Sequence, residues 1–213
     1  MPFFLDIEMP NKRNFVNYHA IIQIGLVSSG KKLKFISNVN PGKKYLKISK
    51  YCMEFTGLTR EDLENAVEFP EIYKSLKRYF FANDKIYTWG DKDAIVLNNV
   101  CDRYKIPLIT NLVDYQKELM ESCQLDIKPS LSSVSKTLNI ETDLQLHNAL
   151  TDAKLLRAVY RRVMAQPEQS KLLLREAEYK RKLKKLNSQY NDVVDFNGEM
   201  LIDITKGQKL FVI

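Results

Sequence analysis

Two acidic residues interrupt the first apolar segment of the chain. Asp6 and Glu8 belong to the run Phe-Phe-Leu-Asp-Ile-Glu, whose apolar residues predict a β-strand. Residues two positions apart on a strand point to the same face, so the two carboxylates converge. Converging carboxylates in an apolar strand are costly unless a cation or a hydrogen-bond donor satisfies them. The pair therefore suggests a metal site, although two solvated acids on an edge strand would give the same pattern.

A histidine and an aspartate precede an apolar-periodic segment late in the chain. His147 and Asp152 are five positions apart, a spacing that turns about 140° on a straight helix. We therefore predict that His147 lies on the loop entering a helix and that Asp152 lies in its first turn. An imidazole in that place can act as a base beside a metal-bound carboxylate. The alternative is a surface histidine followed by an acidic residue that complements the helix dipole.

A third group of acids follows a short apolar run. The sequence Thr-Trp-Gly-Asp-Lys-Asp at residues 88–93 predicts the end of a strand, a glycine turn and the start of a helix. Either acid could cap that helix. We predict that Asp91 is the cap and that Asp93 points inward.

The apolar patterning predicts the elements that carry these residues. Strands are predicted at residues 2–9, 18–28, 33–39, 85–89 and 106–109. Helices are predicted at residues 72–80, 91–104, 112–122, 131–138 and 148–164. The first three strands read as an antiparallel meander, and the next two flank a helix as a βαβ unit with parallel strands. The fold class predicted is α/β, with a mixed sheet flanked by helices.

The bulk composition narrows the class of protein. The chain has 213 residues and a net charge of +7, which favours an anionic partner without naming it. Its three widely spaced cysteines fit buried thiols in a reducing compartment, and no stretch reaches the roughly 20 apolar residues of a membrane span. The N-terminus lacks the basic start of a signal peptide. We therefore predict a cytoplasmic protein with no membrane association.

Residues 166–190 differ in composition from the rest of the chain. This segment carries seven Lys and Arg residues against three Glu, together with one apolar stripe at helical spacing. It is predicted to be a basic helix that either packs its stripe on the body or contacts a phosphate backbone. A short β-hairpin is predicted in the chain beyond it, around the turn Asn197-Gly198.

Taken together, the acidic motifs resemble those of the DEDDh exonucleases, the DnaQ-like branch of the ribonuclease-H-like superfamily. The order is Asp-x-Glu on the first strand, an Asp after a later strand, and His-x-x-x-x-Asp before a helix. Phe-Thr-Gly-Leu-Thr at residues 55–59 is similar to the linker that the family has before its next helix. The resemblance spans residues 3–165 and implies a mixed five-stranded sheet flanked by helices. It divides the chain into an exonuclease domain (residues 1–165) and a basic helical extension with the hairpin (residues 166–213).

The resemblance implies a site with two divalent cations, Mg²⁺ or Mn²⁺, and release of nucleoside 5′-monophosphates from single-stranded 3′ ends. Asp6 would bridge the cations, Glu8 and Asp152 would bind the one that activates water, and Asp93 would support the other through water. His147 would accept the proton of the attacking water, a task that suits an imidazole. Hard cations prefer such oxygen ligands.

Proofreading relatives usually carry Thr after the first Glu, where this chain has Met9-Pro10. In this respect the chain looks closer to the RNA-interference-enhancing and sporulation-pathway-inhibitor-like exonucleases. The difference favours RNA or short oligonucleotides as substrates. A DNA repair or proofreading exonuclease and a catalytically weak nucleic-acid-binding adaptor are the alternatives. Met9, Phe15 and Trp89 are predicted to contact terminal bases, although Phe15 and Trp89 could instead belong to the core.

Overall fold

The computed structural model describes residues 1–10, 20–30, 33–46, 48–80, 83–140 and 147–189. Its strands are β1 (Phe3–Glu8), β2 (Gln23–Ser28), β3 (Lys34–Asn38), β4 (Ile86–Thr88) and β5 (Leu112–Asp114). Its helices are α1 (Lys50–Thr56), α2 (Arg60–Glu64), α3 (Phe69–Phe80), α4 (Lys92–Arg103), α5 (Tyr115–Cys123), α6 (Leu131–Thr137), α7 (Ala149–Ala165) and α8 (Pro167–Gln189). Three features lie outside the described residues. They are Phe15, the second histidine of the chain (His19) and the predicted hairpin beyond α8.

The five strands form one sheet in the order β3-β2-β1-β4-β5. The first three pair antiparallel as the predicted meander, while β4 pairs parallel with both β1 and β5. β1, with strands on either side, is the middle of the sheet, and the carboxylates of Asp6 and Glu8 are carried by this central strand. The predicted α/β class with a mixed five-stranded sheet flanked by helices is confirmed.

Each face of the sheet is covered by its own helices. Alternate residues of β1 divide between two apolar clusters, with Phe3, Leu5 and Ile7 packed among residues of α3 and α4. Phe4 on the opposite face packs among residues of α5, α6, α7 and α8. Because side chains alternate along a strand, Asp6 and Glu8 share the face of Phe4, the one that α7 covers. The sheet therefore delivers the two acids towards α7.

The last strand is not where the sequence predicted it. Residues 106–109 form no strand, and the segment that pairs with β4 is β5, so the predicted helix at residues 112–122 starts only at Tyr115. Ile109 is buried, but the side chain of Asn98 accepts its backbone N–H and donates to its carbonyl oxygen. Those backbone groups are therefore bound by a side chain of α4 instead of a neighbouring strand. The prediction mistook a buried loop residue for a strand.

Two short helices between β3 and α3 were not predicted from the sequence. Ser49 caps α1 and Gly57 ends it in the left-handed conformation, at a φ of 72°. Thr59 and Asp62 then form a capping box at the start of α2. The segment predicted only as a linker is thus the junction of two helices.

The basic segment after residue 165 folds as the long helix α8, as its apolar stripe predicted. Leu174 is buried in the cluster shared with α6 and α7. Glu178 is also buried, and its carboxylate accepts the backbone N–H groups of Asp126 and Ile127 at 2.9 and 2.7 Å. These contacts join α8 to the loop between α5 and α6. In the described part of the chain, no helix combines the length and apolar character needed to cross a membrane.

Candidate active site

The central strand presents its acids beside two unusual residues of β2. In the antiparallel register, Gly25 lies opposite Asp6 and Gln23 lies opposite Glu8. Glu8 is only 6% exposed, in keeping with a carboxylate that faces the interior. Residues directly opposite each other in an antiparallel pair point to the same face. All four positions therefore face α7.

The first turn of α7 rests directly on the backbone of β2. A Cβ atom at Gly25 would lie 2.3 Å from the carbonyl carbon of Ala149 and 2.4 Å from the backbone nitrogen of Leu150. Only glycine permits so close an approach between a strand and a helix. The contact places the start of α7 against the face that carries the acids of β1.

His147 and Asp152 occupy the positions that their spacing predicted. Asn148 is the N-cap of α7, so His147 lies on the entering loop and Asp152 lies in the first turn. His147 has a φ of 72°, in the left-handed region that residues with a side chain rarely adopt. In this conformation its backbone N–H donates to Oδ2 of Asp152 at 3.2 Å. The hydrogen bond ties the loop to the helix that follows.

Glu8, His147 and Asp152 converge on one point. A potential ligand atom from each lies within 4.8 Å of those of the other two. Glu8 comes from the middle of the sheet, while the other two come from the start of α7. Glu8 thus forms one cluster of oxygen and nitrogen donors with two residues that lie 139 and 144 positions later in the sequence.

Asp93 lies outside this group of three but interacts electrostatically with two of its members. It lies in the first turn of α4 and is only 8% exposed. Burial raises the pKa of its carboxyl well above the ordinary value of 3.8, and the negative charges of Glu8, Asp152 and Asp114 raise the pKa further. Asp93 therefore points inward, as predicted, and its electrostatic neighbours are Glu8 and Asp152.

The turn that leads to Asp93 is held by a residue that the sequence did not single out. Gly90 has a φ of 87°, and its backbone N–H donates to Oδ1 of Asp114 at 3.0 Å. The same oxygen accepts the backbone N–H of Lys117, so Asp114 also caps α5. Asp91 is the N-cap residue of α4, as predicted, but its side chain makes no capping hydrogen bond. The end of β5 fixes the turn instead.

The donor set fits a hard divalent cation. Carboxylates buried beside one another repel, and burial opposes their ionisation, so a cation is the partner that satisfies them best. Carboxylate oxygens with an imidazole nearby, and no thiolate, match the preferences of Mg²⁺ and Mn²⁺. The three cysteines are all buried, and none belongs to the donor cluster.

Residues 3–160 match the family described as Exonuclease (RNase_T). The chain belongs to the exonuclease family. The matched residues include β1, the start of α4 and the start of α7, which carry the cluster. The recognition of a DEDDh-type 3′→5′ exonuclease is confirmed, and with it the class of phosphodiester hydrolases. A search of curated proteins gives no significant match.

Solved nuclease structures share the fold of this exonuclease. The nuclease domain of 3′hExo, described as a DEDDh family member and bound to rAMP, is 19% identical with a TM-score of 0.65, over 77% of this chain and 91% of that one. A 3′-exonuclease recognising a histone mRNA stem-loop is 19% identical with a TM-score of 0.65, over 76% of this chain and 62% of that one. E. coli exonuclease I with a dA16 oligonucleotide is 13% identical with a TM-score of 0.64, over 80% of this chain and 42% of that one. At these identities the likeness shows the fold.

Two aromatic rings of α1 extend from the histidine of the exonuclease site. The ring of Phe55 stacks on the imidazole of His147, with centroids 3.3 Å apart and planes inclined by 27°. Tyr51 stacks on the outer side of Phe55 at 5.2 Å and is 60% exposed. Sequence reasoning missed both rings, since the stack joins residues 92 positions apart. Their one-turn spacing on a helix was the only local signal.

The three predicted base-contacting residues have different surroundings. Met9 directly follows β1, is partly buried, and its carbonyl oxygen accepts the thiol of Cys52 at 3.4 Å. It thus lies between the acidic strand and α1. The indole N–H of Trp89 donates to the carbonyl oxygen of Pro129, and its ring packs against the cluster of α5 to α8. These contacts favour a core role for Trp89, while Phe15 lies outside the described residues.

Proposed function

We propose that this chain is a metal-dependent 3′→5′ exonuclease that hydrolyses single-stranded nucleic acid to nucleoside 5′-monophosphates. RNA and short oligonucleotides are the favoured substrates, and two cations, Mg²⁺ or Mn²⁺, are the cofactors. The observation that carries this proposal is the convergence of Glu8, His147 and Asp152 beside the buried Asp93. An isolated acidic surface would have no physical reason to assemble these residues on both sides of a central strand.

Each residue of the cluster has a distinct task in this proposal. When bound, two cations neutralise the scissile phosphate, activate a water molecule and stabilise the leaving oxygen. Glu8 and Asp152 would hold the cation that activates the water, and Asp6 would contribute a carboxylate to both cations. Asp93, buried and electrostatically coupled to Glu8 and Asp152, would support the second cation.

His147 accepts the proton of the attacking water. Its backbone is anchored to Asp152, and its ring is held by Phe55, so the imidazole keeps one orientation in the cluster. A neutral imidazole has one ring nitrogen that can accept a proton. A base held in one orientation is more effective because proton transfer depends on geometry.

The proposed preference for RNA rests on the residues that follow Glu8. Met9-Pro10 differs from the threonine usual in proofreading relatives, which favours RNA and places the chain nearer the RNA-interference-enhancing and sporulation-pathway-inhibitor-like branch. The net charge of +7 suits a phosphate-rich partner. Met9 is proposed to contact the terminal base because it lies between β1 and α1. The three buried free cysteines suit the cytoplasm, which is the proposed location.

We test this function with a 5′-labelled single-stranded RNA beside a DNA of the same sequence. Each is incubated with Mg²⁺, with Mn²⁺ or with EDTA, using the wild type and Asp6→Ala as the control for a co-purified nuclease. We expect a ladder that shortens from the 3′ end with either cation, no shortening in EDTA, and faster hydrolysis of RNA. A preference for DNA would indicate a repair enzyme, because the 2′-hydroxyl is what distinguishes the polymers. Binding without cleavage would contradict the proposal and indicate an adaptor.

Phe55→Ala is expected to reduce kcat by up to about 10²-fold, the loss that a misplaced catalytic group can cause. Removing the ring frees the imidazole of His147 on the side where Phe55 now covers it. Tyr51→Ala is the matched control, because it removes the outer ring and leaves the contact between Phe55 and His147 in place. Single-turnover rates on the oligonucleotide measure the effect. Equal rates for Phe55→Ala and Tyr51→Ala would show that the stack does not orient the base.

A further inference from the structure

Gln23 is a buried polar residue in a largely apolar strand. It is 3% exposed, and both ends of its side-chain amide are hydrogen-bonded. Oε1 accepts the backbone N–H of Ala149 at 2.9 Å, and Nε2 donates to Oδ1 of Asn38 at 2.9 Å. The amide therefore links β3, β2 and the first residue of α7. None of the roles assigned above to the cation ligands or to the base involves this residue.

The bond to Ala149 supplies what the start of a helix lacks. The first N–H groups of a helix have no partner within the helix, and a buried N–H without a partner is costly. The N-cap Asn148 accepts the N–H of Thr151, whereas the N–H of Ala149 depends on Gln23. A side chain from the sheet thus completes the cap of α7.

Gln23 also connects the two elements that carry the candidate cation ligands, β1 and α7. It lies directly opposite Glu8 on the neighbouring strand, and the residue it bonds, Ala149, is three positions before Asp152. Gly25, two residues along the same strand, lets the helix approach β2 closely but provides no directional contact. Of the two, only Gln23 can set where along the strand the helix begins.

We propose that Gln23 is a positioning residue of the cation site. It holds the first turn of α7 so that Asp152 and Glu8 can bind the same divalent cation. This inference rests on the proposed function, because it assigns Gln23 a role at that same site. An apolar side chain of similar size would fill the space without directing the helix. The expected consequence of such a replacement is weakened cation binding in a folded protein.

Gln23→Leu and Gln23→Glu separate positioning from packing. Leucine keeps the volume but offers no acceptor to Ala149, whereas glutamate keeps the acceptor and can also accept from the rotated amide of Asn38. We expect Gln23→Leu to bind Mn²⁺ about 10–100-fold more weakly, the usual loss when a residue that orients a metal ligand is removed. We expect Gln23→Glu, which keeps the acceptor and adds a negative charge opposite Glu8, to bind Mn²⁺ at least as tightly as the wild type does. Calorimetric titration of the full chain with Mn²⁺ alone measures both.

Kinetics and thermal unfolding complete the test. At limiting Mn²⁺ we expect Gln23→Leu to lower kcat while the KM for the oligonucleotide stays unchanged. The reason is that Gln23 is buried and its hydrogen bonds go to Ala149 and Asn38. Wild-type Mn²⁺ affinity in Gln23→Leu would overturn the inference, even with a lowered Tm. If Gln23→Leu fails to fold, Gln23→Asn is measured instead, since its shorter amide cannot reach Ala149; wild-type affinity there would overturn the inference equally. A wild type that binds no Mn²⁺ would instead overturn the proposed function.

Discussion

Asp152→Asn is expected to lower kcat by more than the loss of a general base alone would. A positioned general base contributes about 10²–10⁴-fold. The amide keeps an oxygen that can accept the backbone N–H of His147, so the loop before α7 is expected to stay in place. What the variant loses is the negative charge that Glu8 and Asp152 together offer to a cation. Because cation binding underlies charge neutralisation, water activation and departure of the leaving oxygen, all three are lost together. Initial rates on the single-stranded oligonucleotide at saturating Mn²⁺ measure the loss.

The kcat of Asp152→Asn is compared with those of two other variants. One makes the same change from aspartate to asparagine away from the site, and the other removes a different group within the site. Asp102→Asn removes an exposed carboxylate of α4 that pairs with Lys105, and its rate is expected to match the wild type. His147→Ala removes the base while leaving the carboxylates, so we expect a loss within the range for a general base and smaller than that of Asp152→Asn. If His147→Ala were the more damaged of the two, the carboxylate would not be a principal cation ligand.

Local sequence patterns predicted the positions of residues correctly where those residues belong to a single strand or to the start of a single helix. The alternation around Asp6 and Glu8 predicted a strand with both acids on one face, and that strand is the centre of the sheet. The five-residue spacing of His147 and Asp152 predicted a loop residue followed by a first-turn residue, because a helix cannot place them on one face. In both cases the geometry of a single element fixes the relation between the residues.

Patterns failed where a partner distant in the sequence decides the structure. Ile109 reads as a strand residue, but Asn98 takes its backbone hydrogen bonds. Asp91 is the N-cap residue of α4, as predicted, but the turn before it is held by Asp114, at the end of β5, through Gly90. No pattern in one segment could reveal either contact, since each requires knowing which elements are neighbours.

The same limit applied to the residues that support the candidate site. Phe55 stacks on His147 and Gln23 bonds Ala149 across 126 positions of sequence. In the sequence, Gln23 is only a polar residue within a predicted apolar strand. The residues with acid–base or metal chemistry could therefore be predicted from the sequence, whereas those that orient them could be found only in the fold.

In the metal-free protein, the contribution of Asp93 to stability is expected to fall as the pH rises above about 4. Burial first, and then the charges of Glu8 and Asp152, raise the pKa of its carboxyl well above 3.8 in the folded state. Between the unfolded and folded pKa values the folded state binds more protons, so its advantage is full below the lower value and is lost as the pH passes through the higher one. The loss is up to about 1.4 kcal/mol per pH unit, and each kcal/mol corresponds to roughly 2–4 °C in Tm at this size.

Asp93→Asn is expected to flatten this dependence and to raise the Tm of the metal-free protein at neutral pH, because the amide carries no charge. A divalent cation replaces the proton, so Mn²⁺ should stabilise the wild type increasingly as the pH rises and stabilise Asp93→Asn much less. Asp91→Asn is the matched control, two residues earlier on the same turn but exposed. Thermal unfolding from pH 4 to pH 8, with EDTA and with Mn²⁺, measures these effects. If the Tm of the wild type in EDTA varied with pH no differently from that of Asp93→Asn, Asp93 would ionise freely in the fold, and a supporting role for it at the cation site would lose its physical basis.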